Sequence, residues 1–191
     1  RYWRDWSSDV CSSDLTSALA DFGPVPTIDY FVAKITEDGE EVWITSNGFQ
    51  GDDHARGVDV DNDGFVYVSG YFNSAQLRFP AGVGNLNRNG AIQRNDIFVA
   101  RYSQTGQPLQ AVRAGGQDDD ESYGVTVDNN RNIFVIGRFK DDADFGSQIV
   151  SSVGGSWDSY LGKLSCVKPA CNSVPDGLFV SNVGPNAVEV N

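Results

Sequence analysis

The sequence predicts an all-β protein built from four-stranded antiparallel sheets that stack face to face. Three observations carry that expectation. The composition is rich in turn formers and strand formers, with 21 glycines, eleven Phe and seven Tyr in 191 residues. One long stretch repeats without a gap. The strand-like segments carry large apolar side chains on both faces rather than on one.

The repeat comes first, because a fixed period decides the architecture. DYFVAKITEDGEEVWITSNGFQGDDHARGVDVDNDGFVYVSGYF (29–72) lies over DIFVARYSQTGQPLQAVRAGGQDDDESYGVTVDNNRNIFVIGRF (96–139) with 17 of 44 positions identical. The matches include Gly39 with Gly106, Gly48 with Gly115, Gly57 with Gly124 and Gly70 with Gly137. A third copy begins at DSYLGKL (158–164). ADFG at 20–23 recurs at 143–146, with LRFP (77–80) in the equivalent place. Residues 16–28 thus read as the end of a preceding copy, 29–95 as copy one, 96–157 as copy two and 158–165 as the start of copy three.

Each copy supplies about four short strands. In copy one they are YFVAKI (30–35), EVWIT (41–45), RGVDV (56–60) and FVYVSG (65–70), with EDGE and DNDG turning the chain between them. In copy two they are IFVARY (97–102), LQAVR (109–113), YGVTV (123–127) and IFVIG (133–137). A strand with one wet face alternates apolar and polar residues. FVYVSG does not, since Val66 and Val68 point one way and Phe65 and Tyr67 the other. Such a sheet needs cover on both faces. Without helical segments, other sheets must provide it, and four-stranded sheets packed in a ring form a β-propeller. The competing immunoglobulin-like sandwich would give about seven strands without a 67-residue self-match. The expected fold is therefore a partial β-propeller of about two to three blades in an incomplete ring. Terminal blades of such a ring expose apolar faces and strand edges that favour association.

The ordered pattern D-x-F-V-A-[KR], a turn Gly, G-x-x-x-D-[DE], G-V-x-V-D, then V-x-G-x-F resembles the bacterial β-propeller repeat known as the SBBP repeat. The resemblance covers residues 20–164. It implies a seven-bladed parent architecture in secreted or surface proteins, often beside adhesion-type modules, and it supplies no catalytic residues. Copy two departs from the pattern at Arg131, where the turn glycine is expected.

The most chemically suggestive stretch is DVDNDG (59–64), where Asp59, Asp61 and Asp63 stand two apart before Gly64. That spacing opens a helix–loop–helix calcium site, but the twelfth position, where a bidentate Glu belongs, is Gly70. Across the repeat Asp59 becomes Thr126, Asp63 becomes Asn130 and Gly64 becomes Arg131. Only Asp61 persists, as Asp128. The segment reads as a tight hairpin turn, with Asp binding local amides and Gly taking positive φ. In copy two Asn129 and Asn130 are the residues expected to tolerate that geometry. A calcium-stabilised propeller is the alternative.

Other candidates are weaker. His54 sits in GDDH beside Asp52 and Asp53, but its counterpart is Glu121 and no G-x-S-x-G motif occurs. The acidic runs GDDH and QDDDES (117–122) read as solvated loops, and Trp43 and Trp157 as core or inter-blade packing. No catalytic, cofactor-binding or metal-ligating residue is expected, and no cofactor. A net charge of −12 disfavours nucleic acid and anionic membrane surfaces as partners. No apolar run approaches the roughly 20 residues of a membrane span.

The two ends read differently from the middle. RYWRDWSSDVCSSDL (1–15) looks like a translated sequencing adapter, a non-native leader that takes Cys11 out of the cysteine arithmetic. Residues 166–191 read as a linker and the start of a second β domain, since VPDGLFVSNVGPNAVEV resembles the opening of a fibronectin type III module. An ordinary propeller linker and closing strand is the other reading of that segment. Cys166 and Cys171, five apart, suit a small disulfide loop in an extracellular protein, a bond to a partner beyond the segment, or less well a zinc site. The whole predicts a non-enzymatic scaffold or recognition module of a secreted or cell-surface bacterial protein. Its partners would be further blades and an unknown protein or glycan. An accessory propeller of a secreted hydrolase, with its catalytic domain elsewhere, is the rival.

Overall fold

The computed structural model describes residues 27–165 and 179–181, apart from 80–82, 91–92 and 147. All eight strands expected from the two copies form. They are β1 (Tyr30–Ile35), β2 (Glu41–Asn47), β3 (Asp53–Val60) and β4 (Val66–Phe72), then β7 (Asp96–Tyr102), β8 (Pro108–Gly116), β9 (Glu121–Val127) and β10 (Ile133–Lys140). Short hairpins β5 (Gln76–Leu77) with β6 (Leu86–Asn87) and β11 (Asp142–Asp144) with β12 (Ile149–Ser151) occupy the long connections. Strands β13 (Trp157–Ser165) and β14 (Phe179–Ser181) follow.

The sheets do not coincide with the sequence copies. The central blade runs β3-β4-β7-β8, so it joins the second half of copy one to the first half of copy two. The next blade runs β9-β10-β13-β14, again across a copy boundary. Strands β1 and β2 form a two-stranded sheet that occupies the place of β7 and β8 one period earlier. The key pairing is β4 with β7, in register from Val66↔Tyr102 to Phe72↔Asp96. Residues 179–181 add to the β13 edge as a fourth strand. The remainder of the fibronectin-like segment, the adapter-like leader, Cys11, Cys166 and Cys171 lie outside the described residues.

Burial follows the two-sided pattern. Val66, Val68, Phe98, Ala100 and Tyr102 pack with Tyr30 and Val32 of the preceding sheet. From the opposite face, Tyr67, Ile97 and Val99 pack with Ile133, Val135, Phe139 and Tyr160 of the next blade. Both seams are apolar, and burying each such side chain stabilises by roughly 1.5–3 kcal/mol. Tyr30 stacks on Phe98 at a centroid distance of 4.8 Å. The recurring tail motif proves to be a latch. Ala143 and Asp144 pair with Gly116 and Gly115 on the outer strand of the central blade. Arg78 makes the equivalent bridge to Gly48. Phe79 and Phe145 are buried beneath the two latches, one in each seam.

Three of the repeated glycines are explained by close approach, Gly57, Gly70 and Gly137. A Cβ on Gly57 would lie 2.7 Å from the Cα of Gly124 and 2.8 Å from the amide nitrogen of Val125, so adjacent inner strands meet backbone to backbone. Gly70 and Gly137 face the β-bulges of β3 and β9, where a Cβ would strike the carbonyls of His54 and Glu121.

Apolar residues remain uncovered at both ends of the stack. Phe31 and Val42 of the preceding sheet are exposed, as are Tyr123 and Ile136 of the last blade, with Ile136 at 55%. A groove of about 290 Å³ opens between β1 and β3, lined by Phe31, Ala33, Ala55 and Val58 among others.

Candidate functional site

At one end of the blades stand the β3–β4 and β9–β10 hairpins. Asp61 Oδ1 accepts the amides of Asp63 and Phe65, and the hydroxyl of Tyr67 donates to Oδ2. Asp128 Oδ1 does the same for the amides of Asn130 and Asn132. The one aspartate of DVDNDG that persists across the repeat is the one that caps the turn. Gly64 takes a φ of 77°. In copy two the positive φ of 64° falls on Arg131 itself, not on Asn129 or Asn130 as the sequence suggested. Arg131 spends its side chain on the neighbouring turn, where its guanidinium donates to Asp63, and Asn62 Nδ2 donates to Asn129 Oδ1 at 3.0 Å.

Asp59 does not join its two neighbours. Its Oδ2 accepts the amide of Val127 at 2.7 Å and the hydroxyl of Thr126 at 2.8 Å, tying one inner strand to the next. The three aspartates of DVDNDG thus serve three separate structural tasks.

The opposite end carries the blade-to-blade connections, and there the acidic runs behave unlike solvated loops. Asp53 and Asp120, equivalent across the repeat, are fully buried. Asp53 accepts the amide of Phe49 and the hydroxyl of Ser74, at 3.1 and 2.6 Å. Asp120 accepts the amides of Gly116 and Lys140, at 2.6 and 3.2 Å. Burial pushes Asp53 up to about 6 and Asp120 up to about 7, against amide and hydroxyl donors that pull the other way. The signal was present in the alignment. Asp53 and Asp120 fall on one another there, as do their neighbours Asp52 and Asp119.

Above these clasps lies an exposed shelf of aromatic and basic side chains. Arg56 donates to the hydroxyl of Tyr71 at 2.6 Å and covers its ring at 5.2 Å. One period later the two roles exchange strands, with Arg138 5.6 Å from the ring of Tyr123. Arg138 also lies 3.9 Å over Trp157 and donates to Glu121 Oε2 at 2.9 Å. Tyr123 donates to the same oxygen at 2.5 Å. His54 packs against Tyr71 at 4.9 Å, and burial, then the charge of Arg56, lowers its pKa.

The Asp–His pair of GDDH does not form a relay, because Asp52 Oδ1 accepts the amide of Ile28 while Asp53 serves Phe49 and Ser74. Among the described residues no three His, Cys, Asp or Glu side chains are grouped to hold a metal ion. Trp43 packs between blades as expected, its indole nitrogen donating to the Gln104 carbonyl at 2.9 Å and its ring lying against Gly106. Trp157, at 37% exposure, stands at the rim rather than in a seam. The shelf offers planar rings and forked guanidinium groups, held in place by the buried Glu121 carboxylate, which is the chemistry of recognition by stacking and hydrogen bonding.

Stacked four-stranded sheets with close-packed inner glycines are the blades of a partial β-propeller. Residues 104–138 match the family model described as SBBP, a β-propeller repeat. The chain is 25% identical over 146 residues to an uncharacterized WD repeat-containing protein of Acanthamoeba polyphaga mimivirus, covering 73% of this chain and 10% of that protein. It is 29% identical over 156 residues to the regulatory protein FlaEY of Caulobacter vibrioides, covering 82% of this chain and 16% of that one. The chain therefore spans only a small part of the length of these relatives. These similarities and the fold together suggest a scaffold or recognition module.

Proposed function

We propose that this chain is a non-enzymatic recognition segment of a longer propeller, displayed outside the cell, with the His54–Arg56–Tyr71 and Glu121–Tyr123–Arg138–Trp157 shelf as its contact surface. The observation that carries the reading is the exchanged Arg–Tyr pair, which places a basic and an aromatic group at the same rim position in successive blades. The buried seams hold the blades in place and leave this rim to vary. The resemblance to secreted repeat proteins and the spacing of Cys166 and Cys171 support an extracellular setting.

The test uses the full chain on glycan and peptide arrays, beside Arg138→Ala and Tyr71→Ala. A specific hit that both variants weaken at least tenfold, with unchanged thermal midpoints, supports the assignment. Hits insensitive to both substitutions overturn the shelf. Fractionation of source cells with antibody against the chain tests display, and recovery confined to the cytoplasm overturns it.

A further inference from the structure

The clasp at Asp120 has a second carboxyl beside it. Asp96, at the start of β7, is as fully buried as Asp120. Its Oδ2 accepts the amide of Asn89 at 2.6 Å and Arg113 Nη1 at 3.3 Å. Its Oδ1 is buried without a hydrogen-bond partner. Both carboxyls crowd Gly115, where a Cβ would lie 2.8 Å from Asp96 Oδ1 and 2.9 Å from Asp120 Oδ2. The side chains here join β7, β8, the connection at 117–120, the end of β10 and the loop at Asn89. This is the joint between the central blade and the next.

The charges do not balance. Arg113 offsets one carboxylate, and the second has only amide donors. The other charged groups near the pair are Arg88, which favours ionised Asp96, and Asp119, which opposes ionised Asp120. Lys140 lends Asp120 its backbone amide, while its ammonium lies 3.4 Å from Asp118. Arg94 is engaged with Asp118 and Asp119. Two carboxylates facing one another away from water cannot both ionise cheaply.

We infer that Asp96 and Asp120 hold one proton between them in the folded chain, and that this shared proton makes the blade-to-blade joint tighten in mild acid and loosen as the pH rises. A proton suits the place better than a metal ion, because only Asp96 Oδ1 lacks a donor and a hard cation needs about six oxygens. Burial raises Asp96 to about 6 and Asp120 to about 7, which agrees with this geometry. The sign follows from linkage. Both values lie above the unfolded value near 3.8, so folding takes up the proton. The stabilisation is complete below about pH 4 and is lost as the pH climbs through about 6 to 7. Each proton taken up changes the folding constant about tenfold per pH unit in that window. Asp53 repeats the device one blade earlier, raised to about 6 by burial and by the charge of Asp29.

The experiment follows side-chain carboxyl resonances of the full chain by carbon-13 NMR from about pH 3 to 8, and measures urea stability over the same range. At least one Asp is expected to titrate above about pH 5.5 and to vanish from that range in Asp96→Asn. That variant should flatten the slope of stability against pH by about one proton, while exposed Glu37→Gln keeps the slope. If every carboxyl titrates below about pH 5, or if Asp96→Asn leaves the slope intact, the inference falls. Should Asp96→Asn fail to fold, Asp53→Asn decides, because a carboxyl that still titrates above about pH 5.5 in that variant supports the pair and the loss of every such carboxyl overturns it.

Discussion

Replacing Gly57 by Ala tests the backbone contact between inner strands. The added methyl would sit 2.7 Å from the Cα of Gly124 and 2.8 Å from the amide nitrogen of Val125, with main chain rather than flexible side chain on the other side. Neither strand can yield without disturbing its own ladder, and overpacking of this kind costs about 1–3 kcal/mol. Gly124→Ala is the matched control. It is the same residue type at the equivalent position, yet its Cβ would meet only Ile136 Cγ2 at 3.3 Å, on an exposed side chain. Removing a glycine there restricts the unfolded chain and should be neutral or stabilise by roughly 0.4–1 kcal/mol. Thermal melts by circular dichroism should separate the variants by about 2–16 °C, from a gap of roughly 1–4 kcal/mol at roughly 2–4 °C per kcal/mol for a chain of this size. Equal midpoints for Gly57→Ala and Gly124→Ala would refute the face-to-face arrangement.

The same contacts set four further outcomes. Asp61→Ala should cost about 1–3 kcal/mol in urea unfolding, because it strands two amides and a tyrosine hydroxyl, and Asp59→Ala should cost less. Chelator should leave the thermal midpoint unchanged if the acidic hairpin is only a turn, and a fall would revive the calcium-stabilised alternative. Phe98→Ala, at a fully buried ring stacked on Tyr30, should cost about 3–5 kcal/mol by the same unfolding measurement. Size-exclusion chromatography of residues 16–165 should show concentration-dependent association through the uncovered end faces, and a stable monomer at every concentration would contradict it.

The local features were legible in the sequence because turns and side-chain parity are local. DNDG and its partner announced hairpins, and the apolar residues on both faces of FVYVSG announced two seams. The pairing of β4 with β7 was not legible. It spans the 23 residues from Asn73 to Asn95, and a strand carries no mark of which distant edge it will join. The copy boundary at Asp96 looked like the natural edge of a unit, yet it falls inside a sheet. The acidic runs misled for a different reason. An aspartate that solvates a loop and one that clasps buried amides are the same letter, and only the tertiary fold sets Asp53, Asp96 and Asp120 away from water. The arginine–tyrosine shelf was hidden by its exchange between strands, since aligning Arg56 with Tyr123 and Tyr71 with Arg138 looks like divergence until the strands are laid side by side.

Because the central blade takes two strands from each of two successive copies, a copy boundary is no clean place to cut this architecture. A break between two copies tears a blade down its middle and strands two hydrogen-bonding edges, whereas a break one half-period away parts intact sheets along an apolar seam. Gene duplication is indifferent to the choice, since any window one period long inserts the same complement of strands. Such a lineage can therefore lengthen by whole steps wherever recombination falls, while fragments made at the obvious boundary would be the ones that stick together.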